Sequence, residues 1–324
     1  MTIAAEDIFG LLSRQSVLAP RGLHPNVHAV LAELNAQTPL SYPYDVNQMR
    51  QRASRQLAFA APTDATASVE RVATSRRDVP LRIYIPDNDA GRAAILYFHG
   101  GGWVTGTLDL YDAQLRLLAK ASRAVVIGVG YRPAPEQRHP GADLDADDAY
   151  DWACKRYGAH RAIIVAGDSS GGHIAATLTY GAVLRGPAPA MQVLIYPILD
   201  REMDSWSFRQ FGEGGILGSA LMQWYWDQYL QPGQIPDDES LSPLRAPDLS
   251  AQPPTLLIAA GHDVLLAQNR AFAARLALAG VPVRYLEHPD MIHGYLRWTG
   301  RVSQSLRTIQ DIADEIERRT SHGR

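Results

Sequence analysis

The sequence has little cysteine and no long apolar run. Its 324 residues include one cysteine, Cys154, which excludes an intramolecular disulfide. Cys154 lies in a predicted helix and is interpreted as structural rather than nucleophilic. No apolar stretch approaches the roughly 18 residues that a membrane-spanning helix needs. Because Glu6 and Asp7 stand where a signal peptide would carry basic residues, we expect a cytoplasmic location.

Basic blocks and metal-binding motifs are also missing. The net charge is −3, and no cluster of Lys and Arg is available to neutralise phosphates, so we expect no nucleic-acid partner. There is no H-E-x-x-H motif and no pair of cysteines, so no metal site is expected. A run of acidic side chains could suggest a cation site, but its spacing along a predicted helix favours a solvated face. The run consists of Asp143, Asp145, Asp147, Asp148 and Asp151.

Apolar periodicity predicts the fold class. From about residue 69, short β-branched runs alternate with amphipathic helical patterns, which is typical of an α/β fold with a mostly parallel sheet and helices on both faces. The runs at 69–74 and 79–85 follow each other directly and are predicted to form an antiparallel edge. The last strand is predicted at 283–286.

Two segments interrupt this alternation. Residues 1–60 are predicted to form an N-terminal helical cap segment, and residues 61–324 the catalytic domain. Residues 200–245 are rich in aromatic side chains and are predicted to be a second cap insertion. Its aromatic residues could line a pocket or pack within the cap, and both possibilities stay open.

The most informative motif is G-x-S-x-G at 167–171, between a predicted strand and a predicted helix. A strand that turns into a helix within two residues needs glycine beside the turning residue, and it raises that residue, Ser169, above the edge of the sheet. A serine hydroxyl is a weak nucleophile until a neighbouring base removes its proton. The motif therefore predicts a histidine, an acid and a site for an oxyanion.

A glycine-rich loop supplies the candidate oxyanion site. His99-Gly100-Gly101-Gly102 follows a predicted strand, and glycines let backbone N–H groups approach a developing negative charge. The alternative is a phosphate-binding loop. Neither G-x-x-x-x-G-K-[ST] nor G-x-G-x-x-G is present, which argues against nucleotide binding.

The candidate base and acid follow the last two predicted strands. We favour His293 over His288 as the base, because His288 is followed by Pro289 and looks structural. We favour Asp263 over Asp290 as the acid, because Asp263 ends the preceding strand. The order serine, aspartate, histidine is the order of α/β-hydrolase triads.

These motifs together resemble the hormone-sensitive-lipase-like (family IV) carboxylesterases of bacteria. The resemblance rests on 99–103, on 131–136 (Tyr-Arg-Pro-Ala-Pro-Glu), on 167–172 and on 293–295 (His-Gly-Tyr). It implies an α/β-hydrolase fold with a helical cap, a Ser169–His293–Asp263 triad, an oxyanion hole from the amides of Gly101, Gly102 and Ser170, no cofactor, and a possible homodimer. The usual Asp-Pro-Leu at the acid is here Asp263-Val264-Leu265.

We therefore expect a carboxylesterase that acts on short- to medium-chain acyl esters, small-molecule substrates, through an acyl-enzyme. The alternatives are an amide or lactone hydrolase with the same triad, and a non-enzymatic small-molecule binder. Candidate substrate-binding residues are Trp103, Trp206, Phe211 and Tyr295.

Overall fold

The computed structural model describes residues 22–37, 42–63, 67–74, 76–233 and 241–321. The first third of the predicted segment 1–60, including Glu6 and Asp7, lies outside these ranges.

An eight-stranded sheet runs through the molecule in the order β1-β2-β4-β3-β5-β6-β7-β8. The first two strands pair antiparallel, β2 pairs antiparallel with β4, and all later pairs are parallel, so the predicted antiparallel edge is confirmed. The strands are β1 Ala67–Ala73, β2 Pro80–Pro86, β3 Ala93–Phe98, β4 Val125–Val129, β5 Ala162–Asp168, β6 Met191–Ile195, β7 Thr255–His262 and β8 Val283–Ile292.

Nine α-helices are found within the described residues. Short 3-10 turns follow at 56–59, 243–245 and 295–297. The helices are α1 Pro25–Gln37, α2 Val46–Arg55, α3 Leu108–Ser122, α4 Gly141–Tyr157, α5 Ser170–Arg185, α6 Trp206–Phe211, α7 Ser219–Tyr229, α8 Leu266–Leu278 and α9 Ser303–Thr320.

Both faces of the sheet are buried, as β3 illustrates. Leu96 and Phe98 point into a core shared with α4, α5 and α8. Ile95 and Tyr97 point into a second core shared with α1, α3 and α9. A strand covered on both faces reads as a continuous apolar run, which explains why the pattern at 93–98 has no alternation. The predicted α/β class is confirmed.

The predicted cap segments contribute helices above the carboxyl ends of the strands. Two of them, α2 and α7, share a cavity with Ser169, and a ring contact between Tyr44 and Trp224 (centroids 6.0 Å apart) joins the two segments. All four aromatic side chains of α7 are buried, and one of them, Tyr225, also borders the cavity. The division into cap and catalytic domain stays a prediction.

Within the described part of the chain, we find no helix that combines the length and apolarity needed to cross a bilayer.

Candidate active site

Ser169 lies at a sharp turn between β5 and α5. Its φ of 56° is in the left-handed region, which is strained for a residue with a side chain. The turn depends on the absence of a side chain at Gly171, because a Cβ there would come within 2.6 Å of the His99 carbonyl oxygen. The predicted turn from strand to helix at Ser169, called the elbow below, is thus built as its motif requires. It places the Ser169 side chain at the carboxyl edge of the sheet.

A chain of two short hydrogen bonds connects the three predicted triad residues. Ser169 Oγ lies 2.7 Å from His293 Nε2, and His293 Nδ1 lies 2.7 Å from Asp263 Oδ2. All three residues are buried, at 7%, 8% and 2% exposure. The other carboxylate oxygen of Asp263 accepts from the N–H of Leu265 at 2.9 Å. This geometry is what transfer of a proton from a serine to a histidine needs.

The last two strands position the acid and the base. Asp263 follows β7 directly and His293 follows β8 directly; because the two strands are parallel neighbours, both residues emerge at one edge. The predicted end of the last strand at 286 is wrong, since β8 continues to Ile292. His288 and Asp290 therefore lie inside the strand, and Pro289 is tolerated there because β8 is the edge of the sheet.

His288, the alternative base, has partners of its own. Its Nδ1 lies 2.6 Å from the hydroxyl of Tyr295, and its Nε2 lies 3.2 Å from Gln304. Burial lowers the pKa of His288 below its ordinary value. These contacts agree with the structural role that the sequence favoured for it.

The glycine loop after β3 bends over Ser169. Gly101 and Gly102 have φ angles of 125° and 59°, and the ring of Tyr225 from α7 occupies the space that a Gly102 side chain would need. Among the described residues, no hydrogen-bond acceptor faces the amides of Gly101 and Gly102. Ser170 is the first residue of α5, where backbone N–H groups lack intrahelical partners. These amides are the predicted oxyanion donors, and they are available to a ligand.

Asp168 connects the elbow to the glycine loop, a role that the sequence analysis missed. Its Oδ1 accepts from the N–H of Gly100 at 3.1 Å and from the Tyr97 hydroxyl at 2.9 Å, and its Oδ2 accepts from the Tyr111 hydroxyl at 2.8 Å. Burial raises the pKa of Asp168, and Arg297 together with these hydrogen bonds opposes that rise. The motif G-x-S-x-G leaves position 168 unspecified, so no pattern pointed to it.

His99 contacts the glycine loop through its ring, and Tyr131 through its ring and its backbone carbonyl group. Its ring is stacked on Tyr131 with centroids 4.4 Å apart, its Nδ1 lies 3.0 Å from the Gly100 carbonyl oxygen, and its own carbonyl accepts from the Tyr131 hydroxyl at 2.8 Å. Burial lowers the pKa of His99 to about 4. The ring is therefore neutral at pH 7 and can donate from one nitrogen to the loop.

A cavity opens above Ser169 between the sheet and the cap helices. Its space, counted together with its open mouth, is about 640 Å³. Its lining includes two arginines and a set of apolar side chains, the apolar wall. The apolar wall consists of Met49, Ile198, Ile216, Leu217, Leu221 and Met222.

Trp103 and Tyr295, two candidate substrate-binding residues, do not line this cavity. Trp103 is buried and stacked on Tyr229, with ring centroids 4.3 Å apart. Tyr295 is buried, and its hydroxyl is engaged with His288 and Thr308. A direct contact with substrate is therefore wrong for both, because their side chains turn into the core.

Trp206 and Phe211 lie on α6 and are half-exposed. Their rings are 6.4 Å apart, and Phe211 is 5.4 Å from the ring of His262, which precedes Asp263. They are also not among the cavity-lining residues. Their contact with substrate stays a prediction.

The acidic run on α4 is partly buried, which corrects the prediction of a solvated face. Asp145 accepts from the backbone and guanidinium N–H groups of Arg132 at 3.0 and 2.9 Å, and Asp148 accepts from the N–H of Arg77 at 2.9 Å. Asp145 is thus paired with the guanidinium of Arg132, and Asp148 is paired with that of Arg76 at 3.0 Å. Across the described ranges, no group of three or more His, Cys, Asp or Glu side chains could hold a metal ion.

Comparison with known proteins places this geometry among hydrolases. Residues 95–297 match a family model described as the alpha/beta hydrolase fold. An ethyl acetate hydrolase of Pseudomonas putida is 34% identical over 80% of this chain and 85% of its own. A carboxylesterase of Mycobacterium tuberculosis is 34% identical over 68% of this chain and 72% of its own.

Solved structures agree with the sequence relatives. A thermostable esterase from Pseudomonas putida superposes with a TM-score of 0.85 at 27% identity, covering 92% of this chain and 98% of that one. A hyperthermophilic esterase from Pyrobaculum calidifontis gives a TM-score of 0.83 at 30% identity, covering 92% and 99%.

Proposed function

This chain belongs to the α/β-hydrolase family, among its hormone-sensitive-lipase-like carboxylesterases, and we propose that it hydrolyses short- to medium-chain acyl esters with Ser169 as the nucleophile. It is a serine hydrolase that acts on carboxylic ester bonds. The observation that carries the proposal is the continuous path Ser169 Oγ–His293 Nε2 and His293 Nδ1–Asp263 Oδ2, with 2.7 Å at each step.

Acylation begins with His293. Its Nε2 takes the proton of Ser169 as Oγ attacks the ester carbonyl, and Asp263 stabilises the imidazolium that forms. The carbonyl oxygen becomes an oxyanion that accepts from the amides of Gly101, Gly102 and Ser170. The imidazolium then protonates the leaving alcohol, and the acyl group stays on Ser169.

Deacylation repeats the same steps with water. His293 removes a proton from a water molecule that attacks the acyl-enzyme, and the second tetrahedral intermediate uses the same donors. Ser169 receives its proton back as the acid leaves. The buried network around Asp168 holds Gly100 against the elbow throughout, so the donors do not have to reorganise as charge develops.

The cavity supports small substrates. Its apolar wall and limited volume fit a short or medium acyl chain better than a long one. The name of the relative from Pseudomonas putida, ethyl acetate hydrolase, points in the same direction.

The proposal is tested by hydrolysis of p-nitrophenyl acetate, butyrate, octanoate and palmitate by the wild type, Ser169→Ala and a control, Ser54→Ala. Ser54 is exposed on α2, and within the described ranges its hydroxyl donates only to the Arg50 carbonyl. We expect the wild type and the control to prefer the shorter chains, and Ser169→Ala to lose about 10³-fold or more in kcat. A wild type that turns over none of these esters, or a Ser169→Ala variant that keeps its rate, would contradict the proposal.

A cytoplasmic location and a homodimer remain predictions. In support of a dimer, β8 is the edge strand of the sheet and most of its residues are half-exposed, so its backbone is open to pairing with a second copy.

A further inference from the structure

Arg297 places a positive charge at the wall of the catalytic cavity, and we find no hydrogen bond or ion pair to its guanidinium among the described residues. It is the last residue of the 3-10 turn that begins two positions after His293. Its Nη2 lies 3.3 Å from the position that a Cβ of Gly294 would occupy, so the guanidinium lies beside the residue that follows His293. The same cavity is bordered by Ser169 and His293.

The guanidinium of Arg297 makes neither a hydrogen bond nor an ion pair with any residue in the described ranges. Its Nε is buried and lacks a partner there, and its carbon lies 5.9 Å from the centroid of the Tyr111 ring. Burial by itself lowers the pKa of Arg297, but Tyr111 and Asp168 raise it above its ordinary value, so the charge is kept. A buried guanidinium normally satisfies its donors, because leaving them unpaired is costly.

Asp168 is not the hydrogen-bonding partner that Arg297 lacks. It is the single carboxylate among the described residues that border the cavity, and both of its oxygens already accept from Tyr97, Tyr111 and Gly100. It balances the charge of Arg297 from a distance and leaves the donor atoms of the guanidinium to a ligand.

A second arginine, Arg52 on α2, borders the same cavity. Its guanidinium donates to the carbonyl of Leu34 at 3.2 Å and to Asn35 Oδ1 at 2.7 Å, so it is anchored to the end of α1. The cavity lining thus combines apolar side chains with two positive charges. An occupant that matches this lining has an apolar part and an anionic group.

We propose that Arg297 selects esters that carry a carboxylate. The N–H groups of its guanidinium would donate hydrogen bonds to that carboxylate, which supplies the acceptor that the described protein residues do not. The inference rests on the proposed function, because the selected molecule is the substrate of the Ser169 site. The two N–H groups on one edge of a guanidinium match the two oxygens of a carboxylate. Arg297 acts on specificity and takes no part in bond breaking.

The test compares each anionic ester with a neutral ester of similar shape. For a carboxylate on the acyl side, the pair is p-nitrophenyl hydrogen adipate and p-nitrophenyl 6-oxoheptanoate, whose chains are too long for the carboxylate to attack its own ester through a five-membered ring. For a carboxylate on the alcohol side, the pair is 4-acetoxybenzoate and methyl 4-acetoxybenzoate. The variants are Arg297→Met, Arg297→Lys and a control, Arg307→Met, which removes a charge from the exposed start of α9.

In at least one pair, we expect wild-type kcat/KM for the anionic ester to exceed that for the neutral ester by about 10-fold or more, the range of a charge-assisted hydrogen bond. Arg297→Met should bring the ratio close to one through a higher KM for the anionic ester. Arg297→Lys should restore part of the ratio, and Arg307→Met should keep the wild-type ratio.

Two results would overturn the inference while the proposed function stands. One is hydrolysis of the neutral esters by the wild type with no preference in either pair, which needs no variant to fold. The other is an Arg297→Met variant whose two rates fall by the same factor, which would make Arg297 a positioning residue. Failure of the wild type on every ester would instead contradict the proposed function itself.

Discussion

Replacement of Asp263 by asparagine should disable the site while keeping its shape. In the wild type, Asp263 Oδ1 accepts from the N–H of Leu265 at 2.9 Å, and Oδ2 lies 2.7 Å from His293 Nδ1. The Leu265 N–H requires an acceptor, so the asparagine oxygen would take the position of Oδ1. The asparagine NH₂ would then face His293 Nδ1 and donate to it.

That exchange reverses the tautomer of the histidine. With Nδ1 accepting, the proton of His293 moves to Nε2, which then faces Ser169 Oγ as a donor and cannot remove its proton. Loss of the base in this way should lower kcat by about 10⁴-fold, which corresponds to a loss of about 5 kcal/mol of transition-state stabilisation. Because asparagine has the same shape, the folded structure should persist.

The assay is the kcat for p-nitrophenyl butyrate, with Asp290→Asn as the matched control and thermal unfolding as the check on folding. Asp290 is the other candidate acid, three residues before His293 and inside β8. We expect Asp290→Asn to stay within about 10-fold of the wild type. An Asp263→Asn enzyme within 10-fold of the wild type would refute the assignment, as would a larger loss in Asp290→Asn.

Three further predictions concern stability. In Gly171→Ala the added Cβ would collide with backbone oxygens at the end of β3, so we expect a loss of about 3 kcal/mol in urea unfolding, together with loss of esterase activity. Asp145→Ala removes the buried partner of Arg132 and should lower the free energy of unfolding by about 2 kcal/mol. Asp151 is exposed, so Asp151→Ala should lower it by less than about 1 kcal/mol. Burial lowers the pKa of His99 to about 4. The stability that the neutral, buried ring contributes is therefore fully present above pH 6.5 and is lost as the pH falls towards 4. Between pH 8 and pH 5 the wild type should therefore lose about 2 kcal/mol more than His99→Gln does, measured by urea unfolding at each pH.

Local patterns predicted the parts of the site that strand ends position. An apolar run followed by G-x-S-x-G indicates an elbow, and parallel strands bring their carboxyl ends to one edge, so Ser169, Asp263 and His293 could be brought together from the sequence. The glycine loop also follows a strand end, so its place near Ser169 was predictable in the same way. Its glycines agree with the backbone found there, since φ angles such as the 59° of Gly102 favour glycine.

Features that depend on distant partners were not predictable. Aspartates on one helix look alike whether they face water or a cation far along the chain, so the buried pair of Asp145 with Arg132 gave no signal. The length of β8 was missed because Pro289 and charged residues break its apolar pattern, although an edge strand tolerates both. Arg297 belongs to no motif, and its lack of a partner became visible only with its surroundings.

Covalent labelling of Ser169 tests the central claim most directly. The protein would be incubated with a p-nitrophenyl alkylphosphonate, whose phosphorus traps an activated serine, and release of p-nitrophenolate would be followed before mass spectrometry of the digested chain. The account predicts one equivalent of p-nitrophenolate per chain, a single adduct on Ser169, and loss of activity in proportion to labelling. An adduct on a different residue, or an enzyme that stays active after full labelling, would contradict it.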